Sequence, residues 1–475
     1  MLKIWNTADR KIEEFKPLIA GHVKMYACGP TVYQRSHIGN LRSYTMEDIL
    51  RRVLENEGNA VEHVINITDV GHLTDDADSG EDKLEKASAE SHESAKDIAE
   101  RYTKLFFKDV SAMNILSPTL TPKATEHIAE QISLIKTLEE KGFTYTTSDG
   151  IYFDTSKFPD YGKFSGQALE EKEEGARVAA NPEKKNPTDF ALWKFSPSAP
   201  KAHPPMEETN SGNKRQMEWE SPWGVGFPGW HIECSAMAEK YLGQPFDIHA
   251  GGIDHIPVHH ENEIAQSVAA FGKPLANYWF HVEFLNVDGR KMSKSLANFY
   301  TLDDLKEKGF DPIALRYFFL GANYRQKQNF TWNALQAAKN ALEKLILIVR
   351  GWDKPSVGCA DLEAEFQAAM NDDLNTSQAL AILWKIVNSD YPTSAKAETL
   401  MTMDKILGLG LDKYISVPVE IPDDINALIA EREIARKEKN WSESDRLRDK
   451  ISERGWTVED TEEGQKVIPI STFSF

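Results

Sequence analysis

Cysteine is scarce in this sequence, in which Cys28, Cys234 and Cys359 are the only three among 475 residues. So few cysteines exclude a disulfide framework and favour a reducing compartment. The sequence also lacks an apolar run close to the roughly 20 residues that span a bilayer, and the start MLKIWNTADRKIEEF lacks the apolar segment of a secretory signal. These absences predict a cytoplasmic protein with no membrane partner.

Positive charge is also in short supply, because 55 lysines and arginines face 74 aspartates and glutamates, giving a formal net charge of −19. Such acidity disfavours non-specific binding of nucleic acid over the whole surface. Screening limits each charge to about 10 Å at ordinary salt, so a local basic face stays compatible with the composition. Apolar residues make up 41% of the chain, which suffices for a globular protein of about three domains.

The first 70 residues indicate a parallel βαβ unit. HVKMYACG (22–29) alternates and runs into Gly29-Pro30, 41–57 has helical spacing and stops at Gly58, and AVEHVINITDV (60–70) is typical of a second strand. Ligands of such units bind beyond the carboxyl ends of the strands. Cys28 is expected at one of these ends.

The rest of the chain divides into segments of different character. The expected segments are an acidic loop at 75–85, helices at 91–113 and 125–141, a β-hairpin at 143–153 turning at Asp149-Gly150, an irregular insertion at 170–218, alternating strands and helices at 222–319, helices beyond Thr331, a charged helix at 425–450 and a small terminal hairpin.

The stretch HIPVHHENEIAQ (255–266) is dense in possible metal ligands. If a helix begins near Pro257, His259 and Glu263 are four apart and share one face. His260 has Ile264 at that spacing, so its face continues apolar. The zinc-protease pattern H-E-x-x-H is absent from the stretch.

Two ligands are too few for a metal site, and Cys28 in YACGPT and Cys234 in PGWHIECSAM are the candidates for the others, because zinc favours thiolate and imidazole. Spacing alone does not show that these four residues meet. The alternative is that the cysteines pack as small apolar groups and the histidines form local hydrogen bonds. Cys359 lies in the helical part and has no distinctive setting.

Two further motifs suggest a nucleotide site. SHIGNLRSY (36–44) opens a helix after the first strand, where a glycine and a helix N-terminus favour phosphate. VDGRKMSKSLANF (287–299) has two lysines flanking small residues. Together the motifs resemble the two signatures of class I aminoacyl-tRNA synthetases. With CGPTVY, NITDV, PGWHIECSAM, HHENEIAQS and RLRDKISERGWTVEDTEEG, nearly the whole chain resembles the cysteinyl-tRNA synthetase family.

The resemblance implies an α/β fold: a Rossmann-type parallel-sheet catalytic core with an inserted connective segment, a helical bundle and a small anticodon-binding region. The expected bounds are 1–115 for the first half of the core, 116–220 for the insertion, 221–325 for its second half with the KMSKS loop, 326–415 for the helical stem and 416–475 for the C-terminal region. It also implies ATP-dependent ligation of L-cysteine to its tRNA through a cysteinyl-adenylate, with magnesium accompanying ATP. One zinc per chain would recognise the thiolate and so reject serine. A monomer is expected.

The resemblance also assigns roles to individual residues. The catalytic residues would be His37, Asn40, Lys291 and Lys294. The ATP-binding residues would be Gly39, Gly251, Gly252, Asp254 and Lys294. The substrate cysteine would contact Cys28, Gly29, Thr68 and Trp230. The zinc ligands would be Cys28, Cys234, His259 and Glu263. His260 and Glu261 would support these ligands or pack the helix.

Three positions depart from the family's pattern. Asn40 replaces the second histidine of the first signature, and its amide still donates hydrogen bonds. Phe227 stands where arginine is common, and Ala297 replaces a glycine after KMSKS, which stiffens that loop. The rival hypotheses are a related ligase that couples cysteine to an amino sugar, a zinc-dependent hydrolase, and a non-catalytic tRNA-binding paralogue.

Overall fold

The computed structural model describes residues 1–71, 82–166, 181–196, 215–292, 298–461 and 464–469. Two compact units make up the chain: Met1–Asp304 with Asn323–Asn329 and Met370–Asn375 form the first, and Leu305–Ala322, Phe330–Ala369 and the chain from Thr376 onward form the second. Within the described ranges, no helix combines the length and the apolar character that a membrane span requires.

The secondary structure alternates in the first unit and is mostly helical in the second. The strands are β1 (Lys3–Asn6), β2 (Lys11–Glu14), β3 (His22–Ala27), β4 (Ala60–Ile65), β5 (Thr144–Thr147), β6 (Gly150–Phe153), β7 (Phe190–Phe195), β8 (Gly226–Pro228), β9 (Phe246–Gly252), β10 (Ala276–Val282), β11 (Leu285–Val287), β12 (Arg290–Lys291), β13 (Gln328–Phe330), β14 (Trp456–Thr461) and β15 (Gly464–Pro469). The helices are α1 (Ile38–Asn56), α2 (Lys83–Ser91), α3 (Ala95–Ala112), α4 (Ile128–Glu140), α5 (Trp230–Leu242), α6 (Glu261–Phe271), α7 (Leu302–Glu307), α8 (Pro312–Leu320), α9 (Trp332–Arg350), α10 (Ala360–Asn371), α11 (Thr376–Val387), α12 (Thr393–Leu407), α13 (Asp423–Lys437) and α14 (Trp441–Glu453).

A parallel sheet in the order β10–β9–β3–β4 forms the centre of the first unit and confirms the Rossmann-type expectation. The predicted βαβ unit is β3, α1 and β4, with His22 to Ala27 paired in register with Ala60 to Ile65. Val23, Met25, Tyr26 and Ala27 are fully buried, as expected for a strand covered on both faces. Cys28 follows β3 directly, at the carboxyl edge of the sheet.

Helix α1 is held at both its beginning and its middle. At the N-terminus, the Asn40 backbone N–H donates to Nδ1 of His37, and Oδ1 of Asn40 accepts from the His37 backbone N–H, each at 3.1 Å. This reciprocal pair satisfies two of the backbone donors that a helix start leaves open. In the middle, the buried Arg42 guanidinium donates to the carbonyls of Phe284 and Gln326 at 3.1 and 2.7 Å. The helix start is therefore fixed relative to the carboxyl edge of the sheet.

A second sheet, antiparallel and in the order β5–β6–β7–β8, lies in the first unit and corrects two predictions. The hairpin between β5 and β6 exists, but Thr147 pairs with Gly150, so its turn is Ser148-Asp149 and not Asp149-Gly150. The stretch 170–218 is not irregular throughout, because it contains β7, in which Trp193 is fully buried. Within that stretch, 170–180 and 197–214 lie outside the described residues.

The histidine-rich stretch begins a helix near Pro257, as expected, but its first turn is unusual. Ile256–His260 forms a π-helical turn that leads into α6. A π turn contains more residues than an α turn, and such turns are frequent at functional sites. Both His259 and His260 are consequently buried, whereas the sequence predicted only the first of them to face the site.

The second unit is helical, which confirms the prediction for the chain beyond Thr331. Its last part has a core of its own, made of Ile425, Leu428, Ala435, Leu447, Ile451 and Val458. The charged helix expected at 425–450 is two helices, α13 and α14. The chain breaks between them because Lys439 has a left-handed φ of 58° and the Asn440 side chain caps α14. The acidic loop expected at 75–85 also ends early, because α2 begins at Lys83; residues 75–81 lie outside the described part.

Candidate functional site

A cavity of about 280 Å³ opens at the carboxyl edge of the parallel sheet. Residues after β3, β9 and β10 and one face of α1 line it, which is where ligands of such sheets bind. Ten of the residues assigned by resemblance are among its lining residues: Cys28, Gly29, His37, Gly39, Asn40, Trp230, Gly251, Gly252, Asp254 and Lys291.

Cys28, which lines this cavity, comes together with Cys234, His259 and Glu263. Each offers one ligand atom, and these atoms all lie within 4.8 Å of one another. Nε2 of His259 is 2.8 Å from Oε1 of Glu263, and Sγ of Cys28 is 3.9 Å from the same oxygen. All four side chains are buried. These four residues thus form a cluster that could hold a metal ion.

Sequence reasoning missed a second group of possible ligands that shares two members with the first. Cys28, His249, His260 and Glu263 also lie within 4.8 Å by their ligand atoms. Sγ of Cys28 is 3.2 Å from Nε2 of His260, and Nε2 of His249 is 2.9 Å from Oε2 of Glu263. His249 could have been suspected from its place in β9, a neighbour of β3. His260 was expected only to support the ligands or to pack the helix, because its α-helical spacing from Ile264 pointed to an apolar face.

A chain of hydrogen bonds leads from His260 away from the cluster. Nδ1 of His260 is 2.8 Å from Nε2 of His281, and Nδ1 of His281 is 2.8 Å from the Thr7 hydroxyl. Both ring nitrogens of His260 therefore have neighbours. Burial, together with the surrounding histidines, places the pKa of His260 well below its ordinary value, so this ring is neutral.

The electrostatics of the four-residue cluster favour a cation. Burial lowers the pKa of His259, but the carboxylate of Glu263 and the thiol of Cys234 outweigh it and raise that pKa to about 10. A hydrogen bond from Cys28 lowers the pKa of Cys234 to about 7, while burial raises the pKa of Cys28 well above its ordinary value. A metal ion entering the cluster displaces protons from the imidazole and the thiols, which makes its affinity pH-dependent.

His37 and Asn40 lie at the start of α1, on the wall of the same cavity. Burial lowers the pKa of His37 to about 4, with Asp254 opposing the shift. The ring is therefore neutral at pH 7, and because Nδ1 accepts from Asn40, its proton sits on Nε2. Oδ1 of Asn40 accepts from His37, which leaves its amide nitrogen able to donate. Two side-chain donors and a helix N-terminus meet here, an arrangement suited to an anion.

The remaining predicted residues take different positions. Trp230 is the first residue of α5, and its ring centroid lies 4.4 Å from that of His259. The Thr68 hydroxyl accepts from Asn66, and Oδ1 of Asn66 accepts from the Gly29 backbone N–H, at 3.0 and 2.8 Å. Thr68 is not among the described lining residues of the cavity and supports its wall through Asn66. A Cβ at Gly29 would overlap the Asn66 carbonyl oxygen at 1.5 Å, so only glycine fits there.

Lys291 is exposed, and its Nζ lies 5.2 Å from the centre of the Phe284 ring. Lys294 and Ala297 lie outside the described residues. Phe227 is buried in β8, and the Arg215 guanidinium stacks 3.5 Å from its ring centre. An arginine thus contacts the position where the family's pattern has one, although it comes from another part of the chain.

Comparisons with protein families match most of the chain in three segments. The family described as "tRNA synthetases class I (C) catalytic domain" matches residues 14–340. The "DALR domain" matches residues 365–412, and the "Cysteinyl-tRNA ligase anticodon binding domain" matches residues 419–467.

Full-length relatives carry the same designation. Cysteine–tRNA ligase 1 of Burkholderia lata is 52% identical over 468 residues, covering 98% of this chain and 97% of the relative. Cysteine–tRNA ligase of Treponema denticola is 43% identical over 496 residues, covering 97% and 98%. The fold is similar to that of Mycobacterium tuberculosis methionyl-tRNA synthetase in complex with methionyl-adenylate, with a TM-score of 0.52 at 16% identity over 83% of this chain and 91% of that one. The chain therefore belongs to the cysteinyl-tRNA synthetases, a family of class I tRNA synthetases.

Proposed function

We propose that this chain activates L-cysteine with ATP and transfers the cysteinyl group to the tRNA for cysteine. The observation that carries the proposal is the arrangement of one cavity. Four potential metal ligands lie close together, one of them, Cys28, lines the cavity, and the His37 and Asn40 donors lie on its wall at the start of α1. A thiol-bearing amino acid and the α-phosphate of ATP can therefore meet between the two. Family membership supports the same reaction.

The metal in this proposal is zinc, one per chain, held by Cys28, Cys234, His259 and Glu263. Two thiolates, an imidazole and a carboxylate are ligands that zinc favours. The contact of Glu263 with His249 supports this set, because a second hydrogen bond orients the carboxylate. Bound zinc would supply a soft ligand position for a substrate thiolate, which the hydroxyl of serine matches poorly. Discrimination against serine would then come from binding alone.

The phosphate chemistry belongs to the chain's own donors. One carboxylate oxygen of cysteine attacks the α-phosphorus, the bond to the β-phosphate oxygen breaks, and pyrophosphate leaves with its magnesium. Nε2 of His37 and the amide of Asn40 donate to phosphate oxygens as negative charge develops. Lys291 and Lys294 neutralise the β- and γ-phosphates, and Gly39, Gly251, Gly252 and Asp254 form the nucleotide site.

In the second step, a hydroxyl of the ribose at the tRNA 3′-end attacks the cysteinyl carbonyl, and the bond between that carbon and AMP breaks. The C-terminal region from 416 onward would bind the anticodon, which the match at residues 419–467 supports. A ligase that uses an amino sugar as acceptor has no need of such a region. We propose that the chain acts as a monomer in the cytoplasm.

The test has two parts. Pyrophosphate exchange into ATP should depend on L-cysteine and should not be supported by serine at equal concentration. Labelled cysteine should then be transferred to tRNA when tRNA and an amino-sugar acceptor are offered in parallel. Exchange without cysteine dependence contradicts the first step, and label in the sugar alone contradicts the second.

A further inference from the structure

We propose that Glu47 binds the α-ammonium group of the substrate cysteine. The inference rests on the proposed function and adds to it a residue that determines which thiols are accepted. Glu47 lies on α1, and its side chain lines the cavity together with Cys28, Gly29 and Trp230. Asn40, Ser43, Tyr44 and Glu47 all line the cavity, at the three- and four-residue spacing of one helix face.

Burial gives Glu47 the character of a binding group. The residue is 1% exposed, and within the described part of the chain its Oε2 has no hydrogen-bond partner. An isolated buried carboxylate is costly, and burial raises the pKa of Glu47 to about 8. A cation that enters the cavity and donates hydrogen bonds to Glu47 removes this cost. A carboxylate at the surface is already solvated, so a cation has no such cost to remove there.

The cations already in the cavity wall do not take this role. The Arg35 guanidinium donates to both carboxylate oxygens of Asp109, at 2.8 and 2.6 Å. Lys291 is exposed and its ammonium lies over the Phe284 ring. Among the described lining residues, neither cation takes this role, and the cationic group that fits Glu47 is one that the ligand brings.

Glu47 and Cys28 line the same cavity. The Tyr44 hydroxyl donates to the Cys28 backbone carbonyl at 3.3 Å, and Glu47 follows Tyr44 by three residues on the same face of α1. The thiol and the ammonium of cysteine are separated by only three bonds, roughly 3–4 Å. A cysteine whose sulfur lies beside Cys28 therefore brings its ammonium to this side of the cavity.

The experiment compares L-cysteine with 3-mercaptopropionate, which keeps the thiol and the carboxylate but lacks the amino group. In the Glu47→Gln variant, KM for cysteine in pyrophosphate exchange should rise at least about tenfold, because a buried charge pair loses one partner. The inhibition constant of 3-mercaptopropionate should stay within about twofold of wild type, as should KM for ATP and the bound metal. Glu55→Gln, on the same helix but paired with Arg51 at the surface, is the matched control and should change neither constant.

Three outcomes overturn the inference. If the role of Glu47 were purely structural, Glu47→Gln would weaken the binding of cysteine and of 3-mercaptopropionate by the same factor. Unchanged constants for both compounds would show that Glu47 does not touch the ligand. An unfolded Glu47→Gln protein, detected by thermal unfolding, would assign the Glu47 carboxyl to the stability of the fold and not to ligand binding. If the wild-type protein shows no cysteine-dependent exchange, the proposed function fails instead, so the two failures are distinguishable.

Discussion

At the residue scale, Cys28 is bound to the parallel sheet through its backbone and to the candidate metal site through its sulfur. Its backbone N–H donates to the Ala250 carbonyl at 3.1 Å, which ties it to β9, and its sulfur lies within reach of His260 and Glu263. A serine at this position keeps the backbone contact but replaces the thiolate by a hydroxyl that is a poor zinc ligand.

Cys28→Ser should therefore lose both stoichiometric metal and the preference for cysteine over serine. Elemental analysis of purified protein measures the first, and pyrophosphate exchange with each amino acid measures the second. Cys359→Ser is the control, because Cys359 is also buried but lies in the second unit. Full metal content and unchanged selectivity in Cys28→Ser would remove Cys28 from the site.

His63 is a second buried residue with a measurable consequence. Both of its ring nitrogens are buried without a hydrogen-bond partner among the described residues, and burial, with Arg51 assisting and Asp48 opposing, lowers its pKa from 6.5 to about 3. Between pH 6.5 and about pH 3, the His63 side chain is therefore protonated in the unfolded chain and neutral in the folded chain. Stability should fall as pH falls through this window, by roughly 1.4 kcal/mol per pH unit at most.

His63→Leu should remove that part of the acid sensitivity. Urea unfolding at pH 7.5 and at pH 5 measures it: the free energy of unfolding of the variant should fall less between the two values than that of wild type. Equal pH dependence in both proteins would show that His63 is protonated without cost.

The four residues predicted as metal ligands lie together in the structure, whereas not all of their neighbours were predicted. His259 and Glu263 follow from helix-face spacing. Cys28 and Cys234 were candidates because zinc favours thiolate, and the resemblance joined them to the first two residues, which spacing alone could not do. His249 was missed, and His260 was expected only in a supporting or packing role, because the approach of the two rings to Cys28 depends on strand order and on a π turn. Glu47 was missed because a polar residue in an amphipathic helix ordinarily faces solvent.

At the element scale, helix α1 serves both ends of the cavity. Its first residues carry the donors that we propose for phosphate, and the same helix carries Tyr44, whose hydroxyl donates to the Cys28 carbonyl, and Glu47 on the cavity wall. The capping pair of His37 and Asn40 fixes the ring tautomer and the helix start at once. Substitution of Asn40 can separate its capping of the helix from its proposed donation to phosphate.

Asn40→Asp should leave the fold intact and impair pyrophosphate exchange. The aspartate still accepts from the His37 backbone and is favourable at a helix N-terminus, so the free energy of unfolding should change by less than about 1 kcal/mol. It no longer donates and repels phosphate, so kcat for pyrophosphate exchange should fall by roughly 100-fold. Asn40→His, which restores a donor, is the control. Unimpaired exchange in Asn40→Asp would exclude Asn40 from phosphate binding.

Elements with strong periodicity were predicted well, and their ends were not. The βαβ unit and the helices beyond Thr331 follow from apolar spacing. The break between α13 and α14 escaped detection because both helices have charged faces and the break needs only Lys439 in a left-handed conformation. Strand β7 escaped because it lies within a stretch rich in proline and lysine.

At the scale of the whole molecule, the two steps of the reaction place different demands on the chain. Activation needs the cavity, whereas transfer also needs tRNA to be held. The C-terminal segment depends on one buried arginine: Arg432 is 1% exposed and donates to both carboxylate oxygens of Asp460, at 2.8 and 3.0 Å. Arg436 donates to the same carboxylate at 2.8 Å.

Asp460→Ala should remove the charged partner of Arg432, which keeps its hydrogen bond to Oε1 of Gln465, and should lower the local free energy of unfolding by roughly 1 kcal/mol, because the Asp460 side chain is 38% exposed. Cysteine transfer to tRNA should fall while cysteine-dependent pyrophosphate exchange stays at the wild-type rate, and amide hydrogen exchange should rise over 423–469. Asp445→Ala, which removes an exposed partner of Arg448, should change neither. Equal loss of both activities in Asp460→Ala would contradict the separation of the two steps.

The most direct test of the central claim is X-ray absorption at the zinc edge, recorded on purified protein with and without L-cysteine. We predict zinc with two sulfur neighbours at about 2.3 Å in the free protein, from Cys28 and Cys234, and a third sulfur when cysteine is added. Serine should leave the count at two. Protein without zinc, or a sulfur count that cysteine does not change, would contradict recognition of the substrate through its thiol.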